Sequence, residues 1–383
     1  ARGNAMYAHV DDIVTVPGDI TNDIVWTNNN AYYLNKAPVY VGGDPINGTP
    51  VPTILTIEPG TFIFGSKANQ GTLVVVRDSK IIANGTAMLP IVFTSESVVG
   101  ERGPGDWGGL VLNGNAPINV TGGEADGEGN SGPYGGDDPH DSSGVLNYVR
   151  VEFAGIRFSE LNELNGIAFQ GVGSGTQCSN IEVLFNQDDG VEFFGGTVNC
   201  ENVFLYNNED DSVDWTQGWT GYLRNVVVVQ NKGGISDNGI EADNDSSQPN
   251  KEPISDPTLY NSTHLGSPVV DHPVQLQAHL VKQSAPVDVA NQVATRTPMP
   301  ASHLSRISRM PMEANQRNWS CQAARPLRSC STCTLGEKSR CSTIGRSLAA
   351  NATVSCTNNV TASQTEALVQ CKIRSNLGQI QAG

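Results

Sequence analysis

Three stretches of this chain lie over one another with almost no shift: residues 178–192 (CSNIEVLFNQDDGVE), 200–214 (CENVFLYNNEDDSVD) and 223–237 (LRNVVVVQNKGGISD). Their starts are 22 and then 23 residues apart. A period of about 20–30 residues marks a solenoid, whose repeats bury their apolar faces only against one another. Each repeat is built around one short β-branched and aromatic run, at 181–185, 203–206 and 226–229. Each run has the length of a strand, and no pattern of helical period lies between them. The expected fold is therefore all-β: a single-stranded, right-handed parallel β-helix. Each coil sets its strand on the strand of the coil before, so residues repeated in sequence become ladders in space, with rungs about 4.8 Å apart.

Three ladders follow from the alignment. Asn180, Asn202 and Asn225 should stack, and stacked amides hydrogen-bond along the solenoid axis. Cys178 and Cys200 should stack too, at a separation that suits a disulfide. The third ladder is acidic: Asp188 over Asp210, Asp189 over Asp211, and Glu192 over Asp214. A further acidic motif follows at Glu241, Asp243 and Asp245.

Composition narrows the function classes. The 383 residues suffice for one long solenoid or two ordinary domains, and 41 glycines suit many tight turns. No apolar run approaches the roughly 20 residues of a membrane span. The chain opens at Ala1 rather than Met, as expected if a leader has been removed. Residues 1–257 hold 11 Lys and Arg against 34 Asp and Glu, whereas residues 258–383 hold 12 against 5. So acidic a main body argues against nucleic acid or an anionic membrane as partner. It fits a secreted protein that binds cations or stays soluble through repulsion. Of the eight cysteines, six crowd into the C-terminal part (Cys321, Cys330, Cys333, Cys341, Cys356 and Cys371). They read as a disulfide pattern, with zinc or redox chemistry at Cys330 and Cys333 as the alternative.

Along the chain, residues 1–50 are expected to form an N-terminal cap and the first strands, since a β-helix must cover its first coil. Residues 51–262 are expected to form the parallel β-helix proper. A Gly/Asp-rich excursion at 121–144 interrupts it, and such a loop is often functional. Residues 263–383 then form Cys-rich coils or a cap. Several segments resemble one widespread family: IEPGT (57–61), GDWGGLVLNG (105–114), YGGDDPHDSSGVLNYVRVEFAG (134–155), ELNGIAFQGVGSGT (163–176), DDGVEFFGGTVN (188–199) and GIEADND (239–245). They are similar to secreted bacterial β-helix proteins of pectate-lyase-like architecture, often labelled lipoproteins or cell-surface proteins, with no assigned activity. The resemblance covers about residues 15–262. It implies the fold and a location outside the cell or on the bacterial outer surface, and little about activity. From 265 to 345 the match fails, and no functional reading is placed there.

The acidic ladder is the strongest candidate for chemistry. Like charges at rung spacing repel by about 1 kcal/mol per pair in water and several times more near protein. A bound cation, raised pKa values or splaying into solvent must offset this. Hard oxygens on a rigid edge suit Ca²⁺, with Asp188, Asp189, Glu192, Asp210, Asp211 and Asp214 as ligands; the alternative is a solvated turn edge. Asp126, Glu128 and Asn130 form a weaker calcium-loop pattern, which lacks the distal Glu.

An enzyme reading competes. Asn186-Gln-Asp188-Asp189 resembles part of a polygalacturonase motif, which implies Asp188, Asp189 and Asp211 as general acid and base. Trp215 and Trp219 would then stack on sugar rings, or else simply pack. The motif's Gly-His-Gly and Arg-Ile-Lys segments are missing. Arg150, Arg157 and Arg224 are the arginines available to a lyase in the central coils, with Arg150 expected to serve structurally. The reading carried forward is a non-enzymatic surface or matrix protein, either a self-assembling filament or layer subunit or an adhesin for extracellular glycans. A polysaccharide lyase or hydrolase is the alternative.

Overall fold

The computed structural model describes residues 12–159, 162–230 and 236–266. Beyond them it describes only the backbone of short strands at 275–276, 333–334, 352–359 and 368–375. The expectations for the C-terminal cysteines lie outside the described residues. The chain is a parallel β-helix with three faces. The first face carries Ile24–Trp26, Ile54–Ile57 and Lys80–Asn84, and the second carries Asp12–Val16, Asn30–Leu34, Phe62–Gly65 and Ile91–Ser95. The third face is a six-stranded sheet of Val39–Val41, Thr72–Val75, Gly109–Asn113, Ile167–Gln170, Val191–Phe194 and Val213–Thr216.

From Gly144–Glu152 onward, one long strand per coil serves the first two faces together. That strand pairs with Lys80–Asn84 through its first half and with Ile91–Ser95 through its second. The later coils repeat this in Gln177–Leu184, Asn199–Tyr206, Tyr222–Val229 and Thr258–Leu265. These strands begin about four residues before the runs expected from sequence. The difference lies at the asparagines. Asn180, Asn202 and Asn225 have φ of 55°, 57° and 59°, left-handed values that bend the strand without ending its pairing.

The amide ladder makes that bend stable. Asn202 Nδ2 donates to Asn180 Oδ1 at 3.2 Å, and Asn225 Nδ2 donates to Asn202 Oδ1 at 2.9 Å. It also runs further than the repeats indicate. Asn147 and Asn84 extend it at one end and Asn261 at the other, each through an amide bond of 2.8 Å.

The core lies inside the three faces. Alternate residues point inward, so the column Leu146, Cys178, Cys200, Leu223 is fully in register and buried. The expected Cys178–Cys200 disulfide is corrected here: both are free, buried thiols. In-register parallel neighbours hold their Cβ atoms about 4.8 Å apart, wider than the roughly 3.8 Å a disulfide wants. The thiols fill a position that leucine fills in the flanking coils, and burial pushes the Cys200 thiol well up.

The first coil is uncovered among the described residues. Val14 and Ile24 sit in inward-facing columns over Tyr32 and Leu55, yet are 37% and 43% exposed. The described residues before 50 form coils from Asp12 onward; a cap formed by the residues before them lies outside the described residues.

Asn202→Ala should cost about 3 kcal/mol, from two amide bonds and the strain of alanine at positive φ. Asn202→Gly, which relieves the strain alone, should cost visibly less. Urea unfolding of the two variants checks the order; equal losses would show that the backbone conformation plays no part.

Candidate functional site

The acidic residues gather where the chain enters the third face. Each coil turns there through a small residue: Gly166, Gly190 and Ser212. A Cβ on Gly190 would lie 2.3 Å from Asn208 Nδ2 and 2.6 Å from Ser212 O, so position 190 has room only for glycine. Backbone bonds from Gly166 N to Asp189 O and from Gly190 N to Asp211 O, both 2.9 Å, fix the register. One column therefore runs Asn165, Asp189, Asp211, Asn238. Within it Asp189 Oδ1 accepts from Asp211 N at 3.0 Å, and Asp211 Oδ1 accepts from Asn238 N at 2.6 Å.

A second column lies on the outer surface of the third face. Glu192 pairs with Asp214, and the bridge from Val213 to Ile240 sets Glu241 as the next rung. The stacking of Asp188 with Asp210, Asp189 with Asp211 and Glu192 with Asp214 is as the repeats require. All six carboxylates line one cavity of about 680 Å³.

Four further carboxylates complete it: Glu128, Glu163, Glu241 and Asp243, with Thr216 as the remaining lining residue. Glu128 comes from the 121–144 excursion. Its hairpin, Ala125–Gly127 with Gly132–Tyr134, folds over the third face, where Ile118 and Tyr134 pack with Val111, Ala168 and Phe194. Glu163 comes from a second hairpin, Arg157–Ser159 with Asn162–Glu163. Of the weaker calcium-loop pattern, only Glu128 reaches the cavity. Asp245 stands apart, paired with Lys251 at 3.1 Å.

Ten carboxylates thus face one another, and among the described residues Arg157 is the basic group that reaches them. It lies 2.5 Å from Glu163 and 3.9 Å from Asp210. Burial, and then the neighbouring charges, hold many of these acids protonated. Asp188 is pushed up to about 9, first by burial and then by its hydrogen bond to Glu163. Asp211 rises to about 10 through burial and its bond to Glu241. Asp214 and Glu128 each rise to about 7, chiefly through burial. Asp189 and Glu192 are pushed well above the carboxylate range by burial and by the acids beside them. Glu192 is hydrogen-bonded to Asp214, Asp188 to Glu163 and Asp211 to Glu241.

Three sets of carboxylate oxygens lie within 4.8 Å of one another: Glu163, Asp188 and Asp210; Asp189, Glu192 and Asp214; and Asp189, Asp210 and Asp211. Hard oxygens at this spacing can hold a divalent cation, which would displace the protons that the raised carboxyl groups carry.

The tryptophans are not at the surface. Trp215 and Trp219 are 4% and 0% exposed and belong to the core, where Trp219 stacks on Phe193 at 4.0 Å. The sugar-stacking expectation is corrected accordingly: position 215 shares the inward parity of Val213, so its ring cannot meet a sugar. Arg150 is outward-facing yet buried, bonded to Glu182 at 2.5 Å and Glu152 at 3.4 Å, which is the structural role expected of it.

The comparisons with known proteins agree with this architecture. The family model for the pectate-lyase-like beta helix domain matches residues 18–295. The chain belongs to that family. No curated protein and no solved structure matches it. Domains of this family are typically extracellular, and the family points to a carbohydrate-related or surface protein. Among the described residues no helix is long and apolar enough to cross a membrane.

The raised carboxylates set the pH dependence of the cation-free protein. Between the ordinary carboxylate range and about pH 10 the folded state binds more protons than the unfolded one. The stability they support is complete below about pH 4 and is lost as pH rises. With chelator present, the melting temperature should fall steadily from pH 5 to pH 9; a flat or rising profile contradicts the arrangement.

Proposed function

We propose that this protein is a non-enzymatic extracellular surface or matrix protein whose acidic cavity binds divalent cations, calcium first. Its role on this reading is self-assembly into a filament or layer, or adhesion to extracellular glycans. One observation carries the cation reading: ten carboxylates line a single cavity whose described lining holds no basic residue. Mutual repulsion at this density, worth several kcal/mol per close pair in partly buried surroundings, favours any ligand that brings positive charge. Ca²⁺ accepts about 6–8 oxygens in flexible geometry, which a wall of stacked carboxylates supplies; Mg²⁺ demands a tighter octahedron and keeps its waters.

Assembly is supported by the first described coil, which no other described residues cover. The strands Asp12–Val16 and Ile24–Trp26 each have one neighbour among the described strands, and Ile13 and Val25 beside them are 67% and 53% exposed.

Arg157 favours a second reading. A polysaccharide lyase needs a base beside its cation, and Arg157 is the arginine at the cavity rim. Asp188, Asp189 and Asp211 would be the acidic partners. Unsaturated product released from polygalacturonate, and lost in Arg157→Ala, would favour the lyase over the non-enzymatic role.

Calcium should raise the melting temperature at pH 7.5 by several degrees and release protons as it binds. Titration calorimetry in two buffers of different ionisation enthalpy measures that release; no heat and no thermal shift would remove the cation reading. Sedimentation with and without calcium tests the assembly role, and a monomer in both conditions counts against it.

A further inference from the structure

The three carboxylate sets are not separate. Asp189 belongs to two of them, and Asp210 belongs to two. A carboxylate has two oxygens and can bind a different cation through each. Asp189 and Asp210 therefore stand where bridging ligands stand, between neighbouring cation positions.

A second observation, independent of the acids, points to ligands in the same place. Asn165 is the rung before Asp189 in the inner column and is 1% exposed. Its Nδ2 donates to Oε2 of Glu192, a lining residue of the cavity, at 2.6 Å, so the amide borders the cluster. Its Oδ1 has no hydrogen-bond partner. Asn238, the rung after Asp211, is 2% exposed, and its Oδ1 is unpartnered as well. A buried amide oxygen left without a donor is costly, by about 1–3 kcal/mol, and a cation is one way to satisfy it. Amide carbonyls are ordinary members of calcium coordination shells.

Charge supports the same conclusion. One divalent ion offsets the charge of two of the ten carboxylates, and the others must stay protonated or repel. Further ions in the adjoining sets lower that repulsion, and each helps to fix the carboxylate it shares with the next.

We propose that the cavity holds a row of more than one divalent cation, bridged through Asp189 and Asp210. This rests on the cation reading above. The row runs across the solenoid axis, because each of the three sets draws on the same two neighbouring coils, at residues 188–192 and 210–214. Binding of the first ion orients the shared carboxylate for the second, so loading is cooperative.

The test is ion stoichiometry on the full chain, with Ca²⁺ alone as the probe. It is measured by equilibrium dialysis with elemental analysis and repeated with Tb³⁺ luminescence. Two variants are compared with the parent: Asp189→Asn, which touches two sets, and Asp214→Asn, which touches one. Both substitutions are isosteric, and circular dichroism checks that each variant folds. Two or three ions per chain, with Asp189→Asn losing more bound ion than Asp214→Asn, is the expected result. One ion per chain, or equal losses in the two variants, overturns the bridged row and leaves a simple cation site standing. No bound ion overturns both.

Discussion

In-register parallel stacking is the constraint on which the rest of this structure depends. Each coil repeats the last at a spacing of about 4.8 Å, and each side chain inherits the direction of the one below it. Where the repeated residue is apolar, the stack is a core, as in the column of Leu146, Cys178, Cys200 and Leu223. Where it is asparagine, the stack is a chain of amide bonds that holds six strands at one bend. Where it is aspartate or glutamate, the same geometry concentrates charge.

That last case is a conflict built into the fold. The amide ladder and the stacked aromatics, such as Phe169 on Phe193 at 5.0 Å, hold the register firmly. The acids cannot move apart without breaking it. In the absence of cations the repulsion is met by raised pKa values at Asp188, Glu192 and Asp211, each hydrogen-bonded to a second carboxyl group. A rigid frame that forces acids together is also a frame ready for cations, since the cost of assembling the ligands is met in folding. The hairpins that bring in Glu128 and Glu163 close the cavity from the side and give it depth.

Much of this was legible in the sequence, because a solenoid converts sequence repeats directly into contacts. The acid columns and the amide ladder follow from aligning residues 178–192 with 200–214. Glu128 and Glu163 are another matter: they reach the cavity through two hairpins that lie outside the repeat, and no periodicity announces where a hairpin folds back. Trp215 illustrates a signal that was present and outweighed, since its alternation with Val213 already placed it inward. The cysteine pair shows the opposite limit. Their stacking was readable, but the thiol state depends on a difference of about 1 Å between rung spacing and disulfide geometry.

The most direct test of the account is anomalous diffraction from crystals grown with terbium. Two or more peaks are expected in a row across the solenoid axis, between the coils of residues 188–192 and 210–214, with Asp189 and Asp210 each contacting two of them. Terbium bound elsewhere with the cavity empty, or coils out of register at Asp188–Asp214, would contradict it.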